Sequence, residues 1–395
     1  MSDGMGSKLG VVVSGGAPTL HLAAGALCAF CERGVKFDVV ATSGAGALPG
    51  LLYLAPKGGD PVGALKNVRN MNIDDTIYHL IPNNFKVFFK YGPFSPIFYR
   101  LGQMLRPFPA KELADSPVKR LVNDWIDFAV AAITPTTLWY WSKSVLNRVQ
   151  VVNDLVDWAQ LAASPRHFFL NAFNLKTQEL EIFRKSTMTP EAFYAALAMP
   201  WLYPPTPPAN ANEPLYTEGA SHDPSGIEAV LENLQPELDK MDSIIVLDTI
   251  SADLWTDPEN IYEGLELAIM DPIWTLAENV AALYALQDHH FNRSKQQIPK
   301  IYRLPFEIPL WELGKILEWS YSNAVSLWDV GFRAASKFCD GMERNGGQPP
   351  DANRYFDTLE EDSREGDFLK LFGGDPFHGR VAIPRVIKSQ AGGGP

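Results

Sequence analysis

The chain has 395 residues, 46% hydrophobic and 11% aromatic, enough for a large core built as one α/β domain with insertions or as two domains. Its 34 Lys and Arg against 46 Asp and Glu leave a net charge of −12, which excludes a general nucleic-acid footprint and simple adsorption to anionic bilayers, so any membrane contact has to be local. Three cysteines (Cys28, Cys31 and Cys339) are too few and too uneven for a disulfide framework and point to a reducing compartment.

In chain order, the first apolar run is cut by Ser14-Gly15-Gly16 and Pro18, so it reads as a strand at 9–14 and a helix at about 19–33 ending at Gly34, not as a signal peptide. Cys28 and Cys31 lie inside that helical pattern with no second pair, which favours buried cysteines over a zinc or redox site. "FDVVAT" is a short strand that breaks into small residues around Ser43 before a helix resumes. From Thr76 to Lys111 there is no acidic residue but five basic ones, accompanied by nine aromatics that include Phe85, Phe88, Phe89, Tyr91, Phe94 and Phe98. Such an insertion suits an acyl-chain cleft or a lipid-facing cap, or else is a helical subdomain with its aromatics turned inward; Trp139 and Trp141 extend the pattern.

Further on, "SPRHFFLNAFNLKTQELEIFR" alternates as two strands joined at Lys176-Thr177, and "TPEAFYAALAMP" is a short helix with Thr189 as cap and Pro190 first. "PLYTEGASHDP" reads as a strand running into a loop and a new helix, and "DSIIVLD" as a buried strand. Segments 257–292 and 311–342 look helical, and after Gly346 the chain turns polar and rich in Gly and Pro, a loosely held tail. Strands alternating with helices imply a mainly parallel sheet covered on both faces. No run reaches about 18 apolar residues, so no membrane span is expected and the cytoplasm is the default location, with peripheral membrane contact as a further expectation.

Three strand ends carry chemistry. Gly15 and Gly16, between a strand and a helix, can turn backbone N–H groups toward an oxyanion or a phosphate, or simply make a tight turn. Ser43, between Ala41-Thr42 and Gly44-Ala45-Gly46, has the small neighbours that a strained nucleophile elbow needs; it is equally a polar residue in a packed loop. Glu218, before Gly219 and Ala220, is a carboxylate able to take a serine proton, or a solvated surface residue; Asp223 and His222 compete for the role.

Taken together, the glycine loop, the serine elbow and the carboxylate-glycine pair after a short helix resemble the patatin-like phospholipases, over roughly residues 9–250. The family motifs are G-G-G-x-R/K-G, G-x-S-x-G and D-G-G/A, forming a Ser–Asp dyad without a catalytic histidine. The resemblance implies a three-layer α/β fold, an acyl hydrolase domain over 1–310 with a helical cap at about 60–160, and a C-terminal helical extension over 311–395. It implies a serine esterase acting on lipid esters, with Ser43 as nucleophile, Glu218 as base, and an oxyanion hole from the N–H groups of Gly15, Gly16 and Gly44. It calls for no metal or cofactor, leaves acyl transfer and a silent lipid- or protein-binding relative as alternatives, and is mute on oligomeric state. This chain departs from the motifs at Ala17, Thr19, Leu20, Ala41 and Ala45, and carries Glu218 where the dyad has aspartate. A glutamate reaches one methylene further, so the backbone must retreat or the side chain fold back. Asp288, His289 and His290 lack a third ligand, and His21 reads as a buried core histidine.

Overall fold

β-Branched and aromatic runs build one sheet whose central strands are buried on both faces. A computed structural model describes residues 8–113, 116–136, 138, 142–148, 152–210, 212–227, 229–230, 241–247, 249, 276, 299–308 and 318–350. Along these run β1 (Leu9–Val13), α1 (Leu20–Glu32), β2 (Val39–Thr42), α2 (Ala47–Leu54), α3 (Pro61–Asn67), α4 (Asp75–Leu80), α5 (Ser95–Leu105) and α6 (Pro117–Ile133). There follow α7 (Val152–Leu155), α8 (Trp158–Ala163), β3 (His167–Asn174), β4 (Glu179–Arg184), α9 (Pro190–Ala196), β5 (Tyr216–Glu218), β6 (Ser243–Leu247), β7 (Lys300–Leu304) and α10 (Tyr321–Arg344). The Asp288-His289-His290 triplet, Trp139, Trp141, the helical reading of 257–292 and the tail after Pro350 lie outside the described residues.

The sheet order is β4-β3-β2-β1-β6-β7, with β5 pairing β3. β3, β2, β1, β6 and β7 run parallel, while β4 and β5 are antiparallel to β3. Side chains alternate across it: Val11, Val13, Val40, Ile245 and Leu247 enter the main core, whereas Val12, Val39, Ala41, Ile244 and Val246 enter a second core on the other face. Helices α1 and α10 stack on the main-core side so closely that a Cβ on Gly25 would collide with the Trp328 carbonyl, and one on Gly331 with the Leu22 carbonyl. α10 therefore contributes Leu327, Trp328, Phe338 and Met342 to the same core as the sheet.

The insertion has a core of its own, made of Ile73, Ile77, Phe85, Phe89, Tyr99 and Ala131. This corrects the lipid-facing reading of Phe85, Phe88 and Phe89. Phe85 and Phe89 are buried, and Phe88 packs on the main core edge-to-face with Trp319 at 5.2 Å. A small helical subdomain needs large side chains to bury enough surface, and aromatics supply it. Tyr91 and Phe98 are half-buried, Phe98 against that same core; of the six aromatics only Phe94 is exposed.

Candidate functional site

Two strands share one edge of β3, and that sharing assembles the site. β2 pairs along β3 as far as Thr42 opposite Leu170, and β5 takes over the same edge with Glu218 opposite Ala172. Ser43 and Glu218 thus arrive from opposite directions at the level of Asn171, although 175 positions separate them in the chain. Ser43 sits on extended backbone (φ −133°, ψ 143°), and Gly44 follows at φ +46°, a left-handed angle that side-chain-bearing residues avoid. This is the abrupt strand-to-helix turn of an elbow, which continues through Gly46 into α2.

The longer carboxylate side chain folds back over that turn. Glu218 Oε1 lies against Gly44, where an added Cβ would come within 2.5 Å of it, and a Cβ on Gly219 would meet the Asn171 backbone and side chain at 2.6 Å. Burial alone pushes the Glu218 carboxyl up to about 7, since water that would solvate its charge is excluded. Its N–H donates to the Ala198 carbonyl, which seats β5 against the end of α9.

Ser43 itself is fully buried, and its hydroxyl donates to the Asp223 backbone carbonyl at 2.7 Å. The same carbonyl accepts from Asn171 Nδ2, also at 2.7 Å. Neither rival base takes up the serine proton with its side chain. Asp223 Oδ1 accepts from the Ser225 hydroxyl and the Gly226 N–H, clamping its own turn. His222 stacks on Phe173 with ring centroids 3.7 Å apart, and burial lowers its pKa. His21 donates its Nδ1–H to the Pro18 carbonyl at 2.8 Å and is held down to about 4 by burial, as a neutral core histidine. Asn171 escaped sequence reasoning, yet its signal was present: an amide in the middle of the mostly apolar "HFFLNAFN" strand.

Around the glycine loop, Thr249 Oγ1 donates toward the Ser14 and Gly15 carbonyls at 3.2 and 2.8 Å. The Gly15 N–H donates to the Pro224 carbonyl at 2.9 Å and so ties the glycine loop to the Asp223 turn. Gly16, at φ +115°, and Gly44 have no acceptor for their N–H groups among the described residues. Of the three amides expected to face an oxyanion, that of Gly15 is engaged and the other two have no acceptor among the described residues.

Residues 11–231 match the family described as patatin-like phospholipase, more than half of the chain. The chain belongs to that family. Its members act generally as lipid acyl hydrolases, and the mostly parallel sheet flanked by helices is the patatin fold. No curated protein matches the chain. Among solved structures, VipD from Legionella pneumophila aligns with 82% of this chain and 67% of its own at 14% sequence identity, with a TM-score of 0.32. The Glu218 carboxylate is accommodated by the bare Cα of Gly44, the residue after the candidate nucleophile.

Proposed function

We propose that this patatin-like protein is a serine acyl hydrolase that cleaves lipid esters through Ser43 and Glu218. The observation that carries the reading is the shared β3 edge, which sets a buried carboxylate with a raised pKa against the turn that bears a single serine hydroxyl. In the reaction the Ser43 hydroxyl leaves the Asp223 carbonyl, passes its proton to the Glu218 carboxylate, and attacks the ester carbonyl carbon. Negative charge on the former carbonyl oxygen is met by the Gly16 and Gly44 N–H groups, with Gly15 joining if its bond to Pro224 opens. Glu218 returns the proton to the departing alkoxide, leaving an ester on Ser43; it then activates water for the second half. An alcohol in place of water makes the same cycle an acyl transfer.

A second reading is supported by the Ser43–Asp223 hydrogen bond and the complete burial of Ser43, which suit a site that binds lipid or a partner without turnover. A fluorophosphonate probe and p-nitrophenyl acyl esters distinguish the two. Labelling and turnover by the wild type that vanish in Ser43→Ala and fall at least about 100-fold in Glu218→Gln support the hydrolase, in line with the size of a general-base contribution. A folded wild type that neither labels nor turns over would leave the binding reading.

A further inference from the structure

Helices α5 and α6 bury polar and charged side chains beside the apolar Tyr99, Val130 and Ala131. The buried side of α6 carries Arg120, Asn123, Asp124 and Asp127, and that of α5 carries Ser95, Tyr99 and Gly102. The charges on the inner side are matched: Lys86 pairs with Asp124, Arg106 pairs with Asp127 at 2.8 Å, and the Arg120 guanidinium lies over the Tyr321 ring. The outer sides are apolar instead. Ile97 (64% exposed), Leu101 and Met104 (83%) form a stripe on α5, and Val118 (69%), Val122 and Trp125 (43%) form one on α6, both at the same four-then-three spacing. Such spacing is one helix face, and an ordinary surface helix turns it toward the core. An exposed apolar face of this size marks an interaction site.

The charge distribution and the position of the face select the occupant. No acid is exposed on either helix, because both acids of α6 are buried; the exposed charge on α5 is the cation Arg100. In a chain of net charge −12, this is the face that an anionic lipid surface would not repel. The face also runs toward the site. Trp201, 62% exposed and held at φ +73°, offers its carbonyl to the Val145 N–H, and the Val145 carbonyl accepts from Tyr91 N–H, three residues before Phe94 at the head of α5. Two residues beyond Trp201, the buried Tyr203 lies close enough to Glu218 to feel its charge and borders a crevice no larger than a water molecule with Arg148, Tyr194 and Leu197. The left-handed backbone is unfavourable for a tryptophan, and here the residue is nevertheless presented to solvent.

The geometry points to the outer face of the α5–α6 hairpin, with Trp201, as a bilayer-docking surface that lies flat at the boundary between headgroups and acyl chains. Helices of 11 and 17 residues, about 16 and 25 Å long, suit lying in the interface, and no helix among the described residues is long and apolar enough to cross a membrane. The choice of lipid over protein rests on the acyl hydrolase reading, but the binding does not require turnover.

The test is flotation of the full chain, in the Ser43→Ala background, with vesicles of phosphatidylcholine containing phosphatidylglycerol. An Ile97→Asp/Val122→Asp double variant is compared after its thermal melt has been matched to the parent. The parent is expected to float with the vesicles, and the double variant to lose at least about tenfold in partition, because two exposed apolar groups that would enter the bilayer become charges. A milder Leu101→Ser variant, which keeps the fold if the aspartates do not, is expected to weaken binding in the same direction. Failure of the parent to bind at low salt, or equal binding by the variants, would overturn the proposal. So would sedimentation of the parent as a dimer that the double variant dissociates, with no vesicle binding, since the face would then be a subunit interface. Absence of esterase activity in the wild type alongside vesicle binding would sink the hydrolase reading and leave the docking surface standing.

Discussion

Glu218 carries one methylene more than the aspartate of the family motif, and its carboxylate lies over Gly44. That placement exposes two properties of the residue to experiment. As the proposed base it must be ionised, and its carboxyl holds its proton up to about 7, so kcat/KM for a soluble ester should rise with pH and reach half of its plateau near 7. The folded carboxyl also keeps its proton where an unfolded glutamate, near 4.5, has released it. Between those values the unfolded state binds fewer protons, so this residue lowers stability as pH rises. Glu218→Gln is therefore expected to be inactive and yet to melt higher than the wild type at pH 8, with the gain shrinking toward pH 5. Asp223 answers a different question. Its carboxylate accepts from Ser225 and Gly226 while its carbonyl holds Ser43 and Asn171, so it is a positioning residue for the turn. Asp223→Ala should cost about 1–3 kcal/mol in urea denaturation by leaving buried donors unpaired, and should lower kcat more than it raises KM.

At the scale of elements, contacts distant in sequence decide which packing is possible. The α1–α10 crossing puts backbone against backbone at Gly25 and Gly331, so Gly331→Ala should destabilise the chain by about 1–3 kcal/mol despite its better helix propensity, read as a lower thermal midpoint. The polar interior of the insertion is equally exacting. Removing the carboxylate in Asp124→Ala strands the Lys86 ammonium, 9% exposed, and the Asp74 N–H that Asp124 also accepts. A loss of about 3–5 kcal/mol is expected, measured by denaturant titration. Much at this scale was legible beforehand. The strands at 9–13, 39–42, 167–174, 179–184 and 243–247, and the α9 helix with Thr189 Oγ1 accepting from Ala192 N–H, follow the patterns read from the sequence. Both α/β alternation and capping are local, and local chemistry is what a sequence states directly. The facing of the insertion's aromatics was not, because Phe85 and Phe88 are three apart and still enter two different cores.

For the whole molecule, the proposed catalytic serine, Ser43, is buried, whereas the outer face of α5–α6 is apolar and exposed. If both proposals hold, hydrolysis of a soluble short-chain ester should be unchanged in the Ile97→Asp/Val122→Asp variant, while hydrolysis of vesicle phospholipid falls at least about tenfold. Comparing the two substrates under one set of conditions checks this.

Read alone, the sequence determined the small-residue elbow around Ser43, the glycine loop, the candidate carboxylate and the strand–helix alternation, because side-chain size, turn chemistry and periodicity act over a few residues. Tertiary structure decided the rest. That Ser43 donates to the carbonyl of Asp223, 180 residues away, follows from two strands sharing an edge of β3, a pairing that no local pattern encodes. Likewise, the periodicity of α6 shows that it has a polar and an apolar face without saying which is inside; Lys86 and Arg106, brought from elsewhere in the chain to neutralise Asp124 and Asp127, turn the polar face inward and leave the apolar one to solvent.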